Sequence, residues 1–149
     1  MSSFTSLKHP RNVVLYIRTC PGERTIATAD FQEDILRQFC LREHLSVCAV
    51  IRHACTEAET IPFLDQLLQE LPPEADSMLA WRFSRYSSNL TELSRICFLY
   101  EYYGIVLYSM EFSPCLWRAL PTVHNPYDPN INDGIAIPLP PVKNRVRRK

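Results

Sequence analysis

The sequence predicts a single three-layer α/β domain in which a mostly parallel four-stranded sheet lies between helices. Short apolar runs rich in β-branched residues alternate with longer segments whose apolar residues recur at helical spacing, in the order β-α-β-α-β-α-β. The chain has 149 residues, 46% of them hydrophobic, which is enough for one substantial core. Alternation of this kind favours parallel strands with helices on both faces of the sheet.

The first predicted strand is the run Val-Val-Leu-Tyr-Ile at residues 13–17, whose composition is typical of a strand buried on both faces. It runs into Arg18, Thr19 and Cys20. An arginine is costly to bury without a partner, so we expect Arg18 where the strand leaves the sheet. The sequence therefore predicts a polar site at this end of the strand. The alternative is a surface arginine beside an ordinary core cysteine.

The next three elements are two helices with a strand between them, followed by a third strand. Asp30 with Glu33 three residues later has the pattern of a capping box that begins a helix. Residues 46–51 predict the second strand. Pro62 predicts the first turn of the following helix, a position that proline tolerates. Residues 77–81 predict the third strand.

The predicted domain closes with a third helix and a fourth strand. Asn89 has the pattern of an N-cap, with Glu92 three residues on. Gly104 stands where a glycine commonly ends a helix. Residues 105–108 then predict the fourth strand.

The two ends of the chain differ from this middle part. We expect residues 1–11 to form a flexible leader, residues 12–112 to form the domain, and residues 113–149 to form a proline-rich extension, because seven of the twelve prolines fall there. The last seven residues hold five cations and no anion. This tail predicts contact with nucleic-acid phosphates through Arg145, Arg147 and Arg148, or else a solvated terminus.

Composition excludes several classes of function. Formal net charge is zero, so no global charge attracts nucleic acid or an anionic membrane. The six cysteines form no Cys-x-x-Cys pair and there are only four histidines, which predicts no metal site. Three glycines leave no glycine-rich phosphate loop, so we expect no cofactor. The N-terminus has no apolar signal segment and no run is long enough to span a bilayer, which predicts a cytoplasmic protein with no membrane partner.

Two loops carry the candidate chemistry, one after the first strand and one after the third. The carboxyl ends of parallel strands meet at one edge of a sheet, so Arg18, Arg82 and Arg85 should lie near Cys20. Guanidinium groups match phosphate oxygens and can stabilise the charge of a phosphoryl-transfer transition state. The alternative is that these arginines form surface ion pairs with Asp30, Asp76 or Glu111.

Five motifs occur in order between residues 13 and 111. Tyr16-Ile17-Arg18-Thr19-Cys20 is similar to a Tyr-x-Arg-Val-Ser opening, and Gln32 with Leu36 is similar to Gln-x-x-x-Leu. Residues 61–68 are similar to Arg-Pro-x-Leu-x-x-Leu-Leu. Residues 81–88 are similar to Lys-Leu-Asp-Arg-Leu-Ser-Arg, and residues 103–105 fit a helix-Gly-Val junction. Together these segments resemble the catalytic domain of the serine recombinases, the resolvase/invertase family.

The resemblance implies a resolvase-like fold and a DNA-cleaving site. In that family a serine attacks a DNA phosphodiester and becomes a 5′-phosphoserine, while arginines hold the phosphate. Arg18, Gln32 and Arg85 match the family pattern, and Cys20 stands in place of the nucleophile. The other departures are a lost arginine at Ile61, a lost aspartate at Ser84 and a second lost arginine at Ser88. Arg82 occupies a lysine position of the motif.

The resemblance thus predicts a recombinase-type domain that is catalytically impaired and that retains contact with the DNA backbone. A first alternative is an active strand-cleaving enzyme with Cys20 as its nucleophile. A second alternative is a regulatory protein-interaction domain without DNA contact. Expected partners are DNA and either a second copy of the chain or a recombinase. The family's long helix and DNA-binding domain after the fourth strand are replaced here by the proline-rich segment.

Overall fold

The computed structural model of the protein describes residues 12–21 and 28–110. Its strands are β1 (Asn12–Thr19), β2 (Ser46–Ala54), β3 (Ser77–Ala80) and β4 (Val106–Ser109), and its α-helices are α1 (Ala29–Arg42), α2 (Glu57–Leu67) and α3 (Leu90–Tyr102). A single 3₁₀ turn, Phe83–Arg85, lies in the described residues between β3 and α3. The predicted leader and proline-rich extension lie outside the described residues.

The four strands form one sheet in the order β2-β1-β3-β4, and every pair in it is parallel. The predicted α/β fold class is therefore confirmed. β1 is a central strand with a buried run of six residues, as its apolar composition indicates. Because β1 lies between β2 and β3, the segments that follow these three strands meet at the same carboxyl edge of the sheet.

Side chains of β1 alternate between two cores, one on each face of the sheet. Leu15 and Ile17 pack with Leu36 of α1 on one face. Val14 and Tyr16 face the other side, where the core is formed mainly by α2 and α3 and includes Leu64, Ile96 and Tyr100. The sheet is thus covered on both faces, which completes the predicted three layers.

Two helices begin earlier than the sequence predicts. The N-cap of α1 is Thr28 rather than Asp30, because the Thr28 hydroxyl accepts a hydrogen bond from the Phe31 amide at 3.1 Å. Helix α2 begins at Glu57 behind a capping box made by Thr56 and Glu59, so Pro62 lies inside the helix and the prediction for its first turn is wrong. The predicted ends of α3 are correct, since Asn89 caps it and Gly104 follows its C-cap with a φ of +87°.

Strand β2 extends three residues beyond the predicted end at Ile51. Its backbone continues to pair with β1, so that Arg18 lies opposite His53 and Thr19 lies opposite Ala54. Pairing with a long central strand thus carries polar residues into the sheet. This extension brings His53 to the carboxyl edge.

None of the described helices combines the length and the apolar character that crossing a membrane requires.

Candidate functional site

The centre of the carboxyl edge is a reciprocal pair of arginines. Arg18, at the end of β1, donates from Nε to the carbonyl oxygen of Arg85 at 2.9 Å, and it donates from a terminal nitrogen to the carbonyl of Ser84 at 3.1 Å. Arg85 in turn donates from a terminal nitrogen to the carbonyl of Arg18 at 3.2 Å. Arg18 is 5% exposed and Arg85 is 9% exposed. The two side chains therefore fasten the 3₁₀ turn to the end of β1.

Gln32 of α1 joins this pair from the opposite layer. Its side-chain amide donates to the carbonyl of Arg18 at 3.0 Å, and the residue is fully buried. One backbone carbonyl thus accepts hydrogen bonds from Gln32 and Arg85. The structure therefore brings together three of the four side chains to which the sequence assigns a catalytic role.

The fourth, Cys20, lies directly beside Arg18. A terminal nitrogen of Arg18 lies 2.7 Å from the Cys20 sulfur, and the thiol is half-buried. An N–H group at this distance can stabilise the negative charge of a thiolate. The partners of Arg18 in the described residues are two carbonyls and this thiol, so the alternative of a surface ion pair with Asp30 does not describe Arg18. Asp30 instead pairs with Arg52.

Arg82 is placed differently from the buried pair. It is exposed, and its guanidinium carbon lies 4.6 Å from the centre of the Trp81 ring. The Arg85 guanidinium lies 5.3 Å from the same ring, and Phe31 meets Trp81 edge-on. A shallow open groove of about 240 Å³ runs beside Arg82, lined also by Ile35, Trp81 and Met110. Arg82 therefore presents a cation at the surface, one residue along from an aromatic side chain.

Arg145, Arg147 and Arg148, the predicted phosphate contacts of the tail, lie outside the described residues. Among the residues that the structure does describe, no three histidine, cysteine, aspartate or glutamate side chains are grouped so as to hold a metal ion.

Sequence reasoning missed His53 and Cys55, which lie at this edge next to Arg18 and Cys20. The Cys55 sulfur is 3.2 Å from His53 Nδ1 and 3.5 Å from the Thr60 hydroxyl, and Cys55 is 3% exposed. The His53 ring stacks on Phe63 with centroids 3.7 Å apart, and burial lowers its pKa. A longer second strand would have placed both residues here, and a His-x-Cys sequence after an apolar run was the available signal.

Glu57, the first residue of α2, also belongs to this edge and was missed. One of its carboxylate oxygens accepts from both the backbone amide and the hydroxyl of Ser88. These hydrogen bonds, together with the charge of Arg18, lower the pKa of Glu57 and favour its ionised form. A carboxylate thus lies at the position where the resemblance would place an arginine side chain.

Beneath these polar groups lies Tyr16, two residues before Arg18 on the same face of β1. Its ring stacks against Tyr86 at 5.6 Å and against Phe63 at 6.4 Å. Tyr16 is fully buried, and its hydroxyl has no hydrogen-bond partner among the described residues. Burial, together with the thiols of Cys55 and Cys20, raises its pKa, so the phenol stays protonated.

Comparison with known proteins adds the fold relationship. A scan against protein-family models found no match. A search of curated proteins found no match either. Among solved structures, the N-terminal catalytic domain of TP901-1 integrase aligns over 58% of this chain and 66% of its own, slightly under two thirds, with 20% identity and a TM-score of 0.48.

A second solved structure, the C-terminal catalytic domain of ISC1926 TnpA, an IS607-like serine recombinase, aligns over 72% of this chain and 74% of its own. The TM-score is 0.50 and the identity is 14%. At this identity the likeness establishes architecture. The chain therefore has the fold of a serine recombinase catalytic domain, which confirms the fold that the sequence motifs imply.

Proposed function

We propose that this chain is a recombinase-type domain that binds the phosphate backbone of DNA and does not cleave it efficiently. The fold supports the first part of this proposal. The positions of Arg18, Gln32 and Arg85, which match the family motifs, support it further because they converge at one edge of the sheet. A fold hosts many functions, so the proposal depends on the site itself.

Binding is supported by two cations, Arg18 and Arg82, that form no ion pair at hydrogen-bond distance with an anion of the described residues. The hydrogen-bond partners of the Arg18 guanidinium are two neutral carbonyls and a thiol, and the nearby Glu57 carboxylate offsets part of its positive charge. Arg82 adds an exposed cation over Trp81. Phosphate oxygens are the natural ligands of such groups.

The observation that carries the loss of cleavage is the carboxylate of Glu57 on Ser88. Phosphoryl transfer needs positive charge around the transferring group, and a single lost donor of that kind costs about 3–4 kcal/mol in the transition state. Here Ser88 and Ile61 stand in place of two arginines, and Glu57 adds a negative charge. We therefore expect a phosphodiester to be held more weakly at this edge and to react slowly.

A test of binding is a gel shift with non-specific duplex DNA over a series of salt concentrations. Neutralising one phosphate contact changes the slope of log K against log salt by about 0.9. We expect Arg82→Ala to make this negative slope less steep by about that amount. The matched control is Arg37→Ala, since Arg37 is an exposed arginine of α1 already paired with Glu33 at 2.7 Å; it should leave the slope unchanged.

The outcomes of this titration also separate the alternatives. If the protein fails to bind even at the lowest salt, DNA contact is wrong and the interaction-domain alternative is favoured. If deleting residues 143–149 abolishes binding while Arg82→Ala does not affect it, binding belongs to the basic tail rather than to the sheet edge.

One observation favours the strand-cleaving alternative. The contact between Arg18 and the Cys20 sulfur is of the kind that would stabilise a nucleophilic thiolate. In such a reaction the sulfur would form a bond to phosphorus and the 3′ oxygen of the broken strand would leave. A covalent protein–DNA product that depends on Cys20 would establish this alternative.

A further inference from the structure

We infer that Cys20 and Cys55 are a redox-active thiol pair. Cys20 first forms a mixed disulfide with a small-molecule disulfide such as oxidised glutathione. Cys55 then attacks the Cys20 sulfur and displaces the bound glutathione, so that a Cys20–Cys55 disulfide forms. This inference goes beyond DNA binding and does not depend on it. It rests on three features of the carboxyl edge.

The first feature is the register of β1 and β2. Thr19 lies opposite Ala54, and the Cys55 amide continues the ladder by donating to the Thr19 carbonyl at 2.9 Å. Cys20 and Cys55 are the residues that follow this pair. Neighbouring strands lie about 4.8 Å apart, and a disulfide requires a Cα separation of about 4.4–6.8 Å. The backbone pairing therefore places the two Cα atoms at a separation that a disulfide allows.

The second feature is that both thiols belong to the same face of the sheet. Side chains alternate along a strand, so Cys20 continues the face of Tyr16 and Arg18. On β2, Cys55 continues the face of His53, which is the residue paired with Arg18. The two cysteines therefore occupy neighbouring positions on one face of the sheet.

The third feature is a division of labour between the two thiols. Cys20 is half-buried and within reach of a small reagent, and Arg18 lies 2.7 Å from its sulfur. Cys55 is buried, with His53 Nδ1 3.2 Å away as a proton acceptor. Burial lowers the pKa of His53, which favours the neutral ring, and Nδ1 of a neutral ring whose proton is on Nε2 can accept the Cys55 proton. An accessible attacking thiol next to a shielded resolving thiol is typical of redox-sensitive sites.

The exchange balances in two steps. The Cys20 thiolate attacks one sulfur of the glutathione disulfide, so a Cys20–glutathione bond forms and one glutathione thiolate leaves. Cys55 loses its proton to His53 and attacks the Cys20 sulfur, so the second glutathione leaves. Two protein thiols are oxidised, one glutathione disulfide is reduced, and the two cysteine protons end on the two glutathione thiols.

The test is to treat the reduced full-length protein with oxidised glutathione, block the remaining thiols by alkylation, and map tryptic peptides by mass spectrometry. Arginines at 18, 24, 52 and 82 place Cys20, Cys48 and Cys55 on separate peptides. We expect a peptide that joins Cys20 to Cys55 and that dithiothreitol releases. Cys55→Ser should stop at the Cys20–glutathione adduct, and Cys20→Ser should leave Cys55 unmodified.

Cys48→Ser is the matched control, because Cys48 is a half-buried thiol of β2 whose sulfur lies 3.6 Å from the Val13 carbonyl. This variant should still form the Cys20–Cys55 link. Circular dichroism of each reduced variant identifies any that fails to fold. The inference is overturned if folded wild-type protein and Cys55→Ser accumulate the same Cys20 adduct without a cross-link, or if another pair of cysteines joins.

Discussion

Replacing Arg18 by methionine tests the arginine pair at the sheet edge most directly. Methionine keeps an unbranched side chain that reaches about as far as the arginine Nε, and it cannot donate hydrogen bonds. The change removes the bonds from Arg18 to the carbonyls of Arg85 and Ser84, together with the contact to Cys20. The bond from Arg85 back to the carbonyl of residue 18 is retained.

The expected cost follows from burial. Each buried carbonyl that loses its partner costs about 1–3 kcal/mol. Ser84 is exposed, so its carbonyl regains water, and removing a buried cation returns part of its desolvation penalty. We therefore expect Arg18→Met to lower the free energy of unfolding by about 2–3 kcal/mol, near the lower end of the summed loss.

The assay is urea denaturation followed by circular dichroism. With a slope of about 1–3 kcal/mol per molar urea, the midpoint should fall by about 1 M or more. Arg82→Met is the control, since it removes an exposed arginine whose ring contact is worth about 0.5–1 kcal/mol. If Arg18→Met and Arg82→Met have the same midpoint, Arg18 does not fasten this edge and the reasoning is refuted.

Two further substitutions test the other contacts. The lowered pKa of Glu57 means that its ionised carboxylate stabilises the folded wild type at pH values above the unfolded carboxyl pKa of about 4.3. Glu57→Gln removes this contribution. In the wild type this contribution is lost as the pH falls through the lower folded pKa. The urea midpoints of the two proteins should therefore differ near neutral pH and converge on acidification. A difference in midpoint that does not change with pH would contradict this assignment. Tyr100→Phe removes a buried hydroxyl that donates to the Leu64 carbonyl at 2.5 Å, so it should lower the free energy of unfolding by about 1–2 kcal/mol. An unchanged urea midpoint would show that this bond does not hold α3 to α2.

The fold was predictable because its signals are periodic and local. The apolar run at 13–17 is the interior of the central strand, and Asn89 and Gly104 bound α3 as their types indicate. Strand β2 was predicted too short because side chains at 52–54 are polar or small. Backbone pairing with β1 determines where β2 ends, and the hydrophobic pattern of the sequence does not reveal that pairing.

The candidate site was predictable only in part. Sequence motifs name Arg18, Gln32 and Arg85, but the acceptors that join them are backbone carbonyls, which no residue type reveals. The sequence does not predict a role for Glu57 at the site, because Glu57 lies in a polar stretch and its partner Ser88 is 31 residues away in the chain. Contacts of this range depend on the three-dimensional fold.

The measurement that tests the central claim most directly is a covalent-adduct assay with nicked duplex DNA. After cleavage near the nick, the short fragment diffuses away and cannot be rejoined, so any covalent protein–DNA link persists. Wild type, Cys20→Ala and the buried-thiol control Cys97→Ala are incubated with end-labelled DNA and separated on a denaturing gel. The account predicts that all three proteins shift the labelled DNA on a native gel and that none of them gives a covalent band on the denaturing gel. A band present in wild type and Cys97→Ala, and absent in Cys20→Ala, would contradict it.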